Sequence, residues 1–214
     1  MKDLQISTRE TDVILQELAK TIELPGDVVE FGCYAGDTSV LLAEALKNNP
    51  GKWLYLYDSF EGLPEKTIED QTAAGWRFKA GELKVSPETV AHKFKKLNLP
   101  EPVIVKKWFD QLDDPDLPSQ ISFALLDGDF YQSIKTSFEK VAPRLVSGGI
   151  MIVHDYRNAE LPGVAKAVDE FLDAHTKEYD FRLSTGLAIL IKKWFDYKDC
   201  QQMSGVEDIS KPFW

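Results

Sequence analysis

Apolar residues along this chain switch repeatedly between two spacings, one suited to a helix face and one suited to a buried strand. Over 8–23, Val13, Ile14, Leu15, Leu18, Ala19 and Ile22 roughly follow a helical period, with Ser7 or Thr8 placed to cap it. The run GDVVEFG at 26–32 then reads as a strand closing on a glycine. DTSVLLAEALK at 37–47 follows with a cap-competent start and a second helical period. The alternation continues: WLYLYD (53–58) predicts a strand, SPETVAHKFKKLNL (86–99) a capped helix, and PVIVKKW (102–108) a strand. ISFALLD (121–127) predicts another strand and 131–145 a helix. GGIMIVHD (148–155) reads as a strand behind a Gly-Gly turn, and GVAKAVDEFLDAH (163–175) as a helix.

Strands alternating with helices imply a mostly parallel sheet covered on both faces. DFRLS (180–184) and GLAILIKKW (186–194) break the rule, because only Thr185 and Gly186 separate them, and strands so joined form an antiparallel hairpin. The expectation is an α/β fold: a doubly wound, seven-stranded, mostly parallel sheet with one antiparallel strand near its edge. A chain of 214 residues suits one domain of this kind. Outside the alternation lie the leading helix within 1–25, an insert at 59–83 long enough to serve as a lid, and a tail at 195–214.

The net charge of −10 opposes binding to a polyanion, so no nucleic-acid partner is expected. No apolar run is long enough to span a bilayer, and MKDLQISTRETD lacks the basic and apolar segments of a secretory signal. A cytoplasmic location without a membrane partner is the expectation. Cys33 and Cys200 are too far apart in sequence for a metal motif and make no disulfide framework.

Chemistry concentrates after the strand ends. In VVEFGCYAGDTS (28–39), Gly32 and Gly36 let the backbone turn sharply and approach a ligand closely, and Glu30 can accept hydrogen bonds from an amino or hydroxyl group. Their G-x-x-x-G spacing differs from the G-x-G-x-x-G of a dinucleotide site. Asp58 closes the next strand, where an acid can meet ribose hydroxyls or cap the segment after it. In LLDGDF (125–130), strand alternation would send Asp127 and Asp129 to one face. IVHDY (152–156) ends the following strand with His154 and Asp155. If the two strands are neighbours, these four residues converge, and mutually repelling anions there suit a cation. Oxygen donors favour Mg²⁺ and an imidazole favours Mn²⁺; His154 could equally act as a base or as a buried structural histidine. The acidic loop at 110–118 reads as solvated. Of the aromatics, Trp108 and Phe109 directly follow a strand end and are better placed for a ligand than Trp76, Phe78, Phe130 or Tyr131.

On VVEFGCYAGDTS, YDSFEGLPE (57–65), LLDGDFYQSIKTSFEKVAPRLVSGGIMIVHDY (125–156) and the closing ILIKKW, the chain resembles the macrocin O-methyltransferase family of class I methyltransferases, over most of its length. The resemblance implies a Rossmann-like fold and S-adenosylmethionine as methyl donor. It places the donor across Glu30, Gly32, Tyr34, Gly36, Thr38 and Ser39, with Asp58 on the ribose and Ser59 and Phe60 beside it; Trp108, by its place after a strand end, is a further candidate for the donor's adenine or the acceptor. It also implies a divalent cation, Mg²⁺ or Mn²⁺, on Asp127 and Asp155, with Asp129 as general base. His154 stands where the family commonly has another aspartate, a change that bears on metal preference. The acceptor implied is a hydroxyl of a small molecule, a sugar or other natural product.

Two other readings use the same fold class: a nicotinamide-dependent oxidoreductase, and a noncatalytic protein that binds the donor alone. Homo-oligomerisation could use the leading helix or the aromatic tail ending in Phe213 and Trp214.

Overall fold

A computed structural model describes residues 6–72 and 78–194; Trp76, Phe213 and Trp214 lie outside the described residues. The elements are α1 (Thr8–Lys20), β1 (Asp27–Phe31), α2 (Asp37–Leu46), β2 (Leu54–Asp58), α3 (Pro87–Lys96) and β3 (Val103–Lys106). They continue with β4 (Ile121–Leu126), α4 (Tyr131–Val141), β5 (Leu145–Val153), α5 (Pro162–Ala174), β6 (Tyr179–Ser184) and β7 (Leu187–Lys192). One seven-stranded sheet runs in the order β3-β2-β1-β4-β5-β7-β6. Strands β1 to β5 are parallel, whereas β7 is antiparallel to both β5 and β6, so the expected reversed strand lies one place in from the edge. Thr185 (φ 50°) and Gly186 (φ 96°) form the β6–β7 turn, the two positive φ values that a twisted two-residue hairpin requires.

Alternate residues of each central strand feed opposite cores. Val28, Leu125 and Ile152 pack with Ile14, Leu18, Leu42 and Phe94 of α1, α2 and α3. Val29, Leu126 and Val153 pack with Ile134, Phe138, Val164 and Val168 of α4 and α5. All six β4 residues are buried, as a strand covered on both faces must be. Each fully buried Leu, Ile or Phe contributes about 1.5–3 kcal/mol.

Several boundaries depart from the sequence reading for identifiable reasons. Ser7 caps α1 through a reciprocal box with Glu10, and the helix stops at Lys20, where the Thr21 hydroxyl turns back to the Leu18 carbonyl (2.8 Å). The α3 helix ends at Lys96 rather than residue 99, because Asn98 takes φ 52° ahead of Pro100. The α4 helix ends at Val141 rather than residue 145, because Pro143 has no amide hydrogen with which to continue the helical bonds. Gly148 and Gly149 lie inside β5 instead of preceding it. They mark an irregularity where the pairing with β4 jumps from Ile121–Leu145 to Phe123–Ile150. The 59–83 insert is closed at its base by Leu63 N–H to Glu82 O (2.8 Å) and Gly81 N–H to Leu63 O (2.9 Å), and residues 73–77 of it lie outside the described residues. No helix among the described residues is long and apolar enough to cross a membrane.

Candidate active site

Chain direction across the sheet reverses between β1 and β4, and a cavity of about 810 Å³ opens above the carboxyl ends of the strands there. Gly32, Tyr34, Asp58, Ser59, Trp108, Asp127, Asp129, His154 and Asp155 all line it. These residues come from the ends of five adjacent strands, so one side of the sheet assembles chemistry that is dispersed in sequence.

The turn after β1 passes directly over the end of β4. Gly32 has φ +88°, and a Cβ there would sit 2.0 Å from the Asp127 carbonyl oxygen, so only glycine fits. Asp58 holds the turn from the other side. Its Oδ2 accepts the amides of Cys33 (3.1 Å) and Tyr34 (3.0 Å), and its Oδ1 accepts that of Phe60 (2.7 Å). Burial nevertheless lifts its pKa above the ordinary carboxylate value.

Glu30 lies behind this turn, 2% exposed, accepting the Ser39 hydroxyl, and burial pushes its pKa up to about 8. With Thr38 it borders a recess of about 30 Å³ on the far side of Tyr34. Ser39 is fully buried and Gly36 packs against Val90, both away from the main cavity. Phe60 belongs to the core beside α1, α2 and α3 and does not line the cavity.

The acids meet, but not through strand alternation. Strand β4 stops at Leu126, and Asp127-Gly128-Asp129 is a loop in which Asp129 takes φ 60°. Backbone bonds from Asp127 N–H to Phe31 O (2.8 Å) and His154 N–H to Leu126 O (3.0 Å) fix the two strand ends side by side. His154 Nδ1 lies 3.0 Å from both Asp127 Oδ1 and Asp155 Oδ2. Neither approach has hydrogen-bond alignment, so this buried nitrogen lacks a directed partner despite its short contacts. Burial works against a charged His154, but the two carboxylates outweigh it and hold the pKa up to about 11. Burial also works against the Asp155 carboxylate, yet His154 and the Asn158 amide (3.0 Å) bring its pKa below the ordinary value.

One donor atom each from Asp127, His154 and Asp155 falls within 4.8 Å of the others. Two carboxylates around an imidazole nitrogen with no directed partner form a donor set that fits a divalent cation once the cation displaces the imidazole proton, with the nitrogen favouring Mn²⁺ more than an all-oxygen set would.

Asp129 is set deep in the protein with a partly open face on the cavity. Among the described residues it has no hydrogen-bond or ion-pair partner, and burial followed by repulsion from Asp127 and Asp155 drives its pKa well up. A carboxylate so placed has an enhanced affinity for a proton from a neighbouring hydroxyl.

Sequence reasoning missed much of the wall: Gln111, Gln132, Ser133, Thr136 and Asn158, with Leu63 and Thr67 from the insert. The signal for three of them was a polar stripe at 132, 133 and 136 immediately after DGDF, one helix face beginning at the acids. Gly128 allows that face to approach, since a Cβ there would lie 2.7 Å from Ser133 Cβ and 3.2 Å from the Phe109 ring. Phe78, Trp108, Phe109 and Phe130 line the cavity, while Tyr131 turns its hydroxyl to Glu170 (2.7 Å). The acidic loop is engaged in bracing: Asp116 pairs with Lys107 (2.6 Å) and Asp114 with Arg144.

Comparison with known proteins points the same way. Residues 9–188 match the family described as Macrocin-O-methyltransferase (TylF). The 8-demethyl-8-(2,3-dimethoxy-alpha-L-rhamnosyl)-tetracenomycin-C 4'-O-methyltransferase of Streptomyces olivaceus is 32% identical over 143 residues, covering 62% of this chain and 54% of that protein. The demethyldecarbamoylnovobiocin O-methyltransferase of Streptomyces niveus is 29% identical over 158 residues, covering 69% of this chain and 58% of that protein. The chain thus spans a little over half the length of these curated relatives. The O-methyltransferase NovP has the same fold, with a TM-score of 0.75 at 23% identity over 87% of this chain and 80% of NovP. The chain belongs to the macrocin O-methyltransferase (TylF) family.

Proposed function

We propose that this protein transfers a methyl group from S-adenosylmethionine to a hydroxyl of a small, sugar-bearing natural product, with a divalent cation assisting. The observation that carries the reading is the Asp129 carboxyl, unpartnered among the described residues, beside the Asp127–His154–Asp155 cluster inside a cavity at the sheet's switch point. Membership in the O-methyltransferase family supports methyl transfer and sets the nicotinamide alternative aside. The rhamnosyl group in the name of one relative supports a sugar-bearing acceptor.

S-adenosylmethionine brings an electrophilic methyl group, and a divalent cation brings positive charge that lowers the pKa of a nearby hydroxyl. Tyr34, the Gly32 turn, Asp58 and Trp108 bind the donor, and the acid-lined wall suits its positive charge. Asp127, His154 and Asp155 would hold the cation. Asp129 accepts the proton that the acceptor hydroxyl gives up. The polar face of α4 and the described insert residues orient the acceptor and exclude water.

Calorimetric titration with S-adenosylhomocysteine, in EDTA, Mg²⁺ and Mn²⁺, tests the donor site and its metal dependence. Saturable one-to-one binding followed by labelled methyl transfer to glycosidic acceptors is the expected result. No binding under any metal condition overturns the reading, and binding without transfer across such acceptors would favour a noncatalytic donor-binding protein.

A further inference from the structure

Asp70 lies in the insert, far in sequence from α4 and α5, and is 1% exposed. Its Oδ2 accepts the Thr67 amide and hydroxyl, both at 2.9 Å. Its Oδ1 accepts the amide of Tyr131 at 2.7 Å. Tyr131 is the first residue of α4, and its amide is one of those a helix start leaves without an internal partner. Phe130, at the cap position, has no side-chain acceptor to offer, so Asp70 supplies one from outside the helix. The seat is closely fitted: a Cβ on Gly163, at the start of α5, would lie 1.9 Å from Asp70 Oδ1 and 2.9 Å from the Tyr131 nitrogen.

The insert, α4 and α5 therefore meet at one carboxylate. Two residues before Tyr131 stands Asp129, held at φ 60°, and the intervening Phe130 amide is tied back to Gly128 O at 2.6 Å. The insert reaches the same space from above through Leu63, Thr67 and Phe78. We infer that Asp70 is a positioning residue that couples the insert to the start of α4, and so fixes the Asp129 carboxyl relative to the wall the insert provides. The inference rests on the proposed function only for the role of the group positioned; the coupling itself does not depend on it.

Hydrogen exchange read by mass spectrometry on the full chain, with and without S-adenosylhomocysteine, tests the coupling. In Asp70→Ala, exchange should accelerate roughly tenfold in peptides covering 61–72 and 128–135 together, the scale of a lost cap, while β1 and α2 stay as in the parent. Asp70→Asn keeps an oxygen for the Tyr131 amide and should restore most of the protection over 128–135, which a merely space-filling role would not predict. Gly163→Ala, which displaces the carboxylate without removing it, should reproduce the Asp70→Ala pattern. Loosening of 61–72 alone, a uniform increase over the whole chain, or unlike patterns in Asp70→Ala and Gly163→Ala would each overturn the inference. The parent's affinity for S-adenosylhomocysteine, measured in parallel, judges the donor reading separately.

Discussion

Ser39, in the first turn of α2, donates its hydroxyl to the buried carboxylate of Glu30 near the end of β1. Burial lifts the Glu30 pKa from 4.5 to about 8 even though this hydroxyl pulls the other way. Between those values the folded protein retains a proton that the unfolded chain has released. The Glu30 contribution to the stability of the ligand-free protein therefore falls as pH rises through the window and levels off above it, while the raised pKa of His154 continues the decline at higher pH. Glu30→Gln keeps an acceptor for Ser39 and removes the ionisation. It should remove the part of the decline that falls below about pH 6.5, where His154 does not contribute, and gain on the order of 1–3 kcal/mol over the parent at pH 8, read from urea unfolding between pH 5 and 9. An unchanged decline in the variant would place the titrating group elsewhere.

Asp129→Ala should bind S-adenosylhomocysteine as the parent does, because no bracing bond of the Gly32 turn runs through it. Turnover on a hydroxyl acceptor that the parent methylates should drop by about 10²–10⁴. Normal turnover would remove Asp129 from the role of base.

Loss of either carboxylate beside His154 should weaken Mn²⁺ binding by at least about tenfold, measured by electron paramagnetic resonance on the free and bound ion. His154→Asp makes the donor set all oxygen and should shift preference from Mn²⁺ towards Mg²⁺. Equal Mn²⁺ affinity in Asp127→Ala and the parent would remove the cation from this cluster.

Gly32→Ala should cost about 3 kcal/mol or more and abolish S-adenosylhomocysteine binding, since the added methyl group meets the Asp127 carbonyl and the backbone takes φ +88°. A melting temperature equal to the parent's would mean that the turn shifts without cost.

Period and punctuation made most of the fold legible. The buried central strands read as continuous apolar runs, and Thr185-Gly186 announced the reversed strand. Errors fell where a local breaker competes with apolar content: Pro143 ends α4 early, and Gly148-Gly149 bend a strand they were expected to precede. The convergence of Asp127, Asp129, His154 and Asp155 was readable because neighbouring parallel strands end level. Its local cause was not, since the positive φ of Asp129 belongs to a loop that no alternation rule describes. Phe60 was placed with the donor by resemblance, yet its ring fills the core, because one residue after Ser59 the chain turns at φ 56°. The capping role of Asp70 towards α4 gave no signal, since Tyr131 and Gly163 lie 61 and 93 positions away and only tertiary structure brings them to it.

The reversed strand has a consequence for how the shape of the cavity can change. Because β7 returns against β5, the Thr185-Gly186 turn comes back to the end of the sheet where the acids gather, and the Gly186 carbonyl takes the Arg157 amide at 3.2 Å. The segment leaving His154 and Asp155 is thus moored to a hairpin tip that touches none of the cavity. A two-residue tip acts as a ruler. One inserted residue would move the mooring, and with it the backbone that carries the acids, reshaping the chamber while every residue lining it stayed the same.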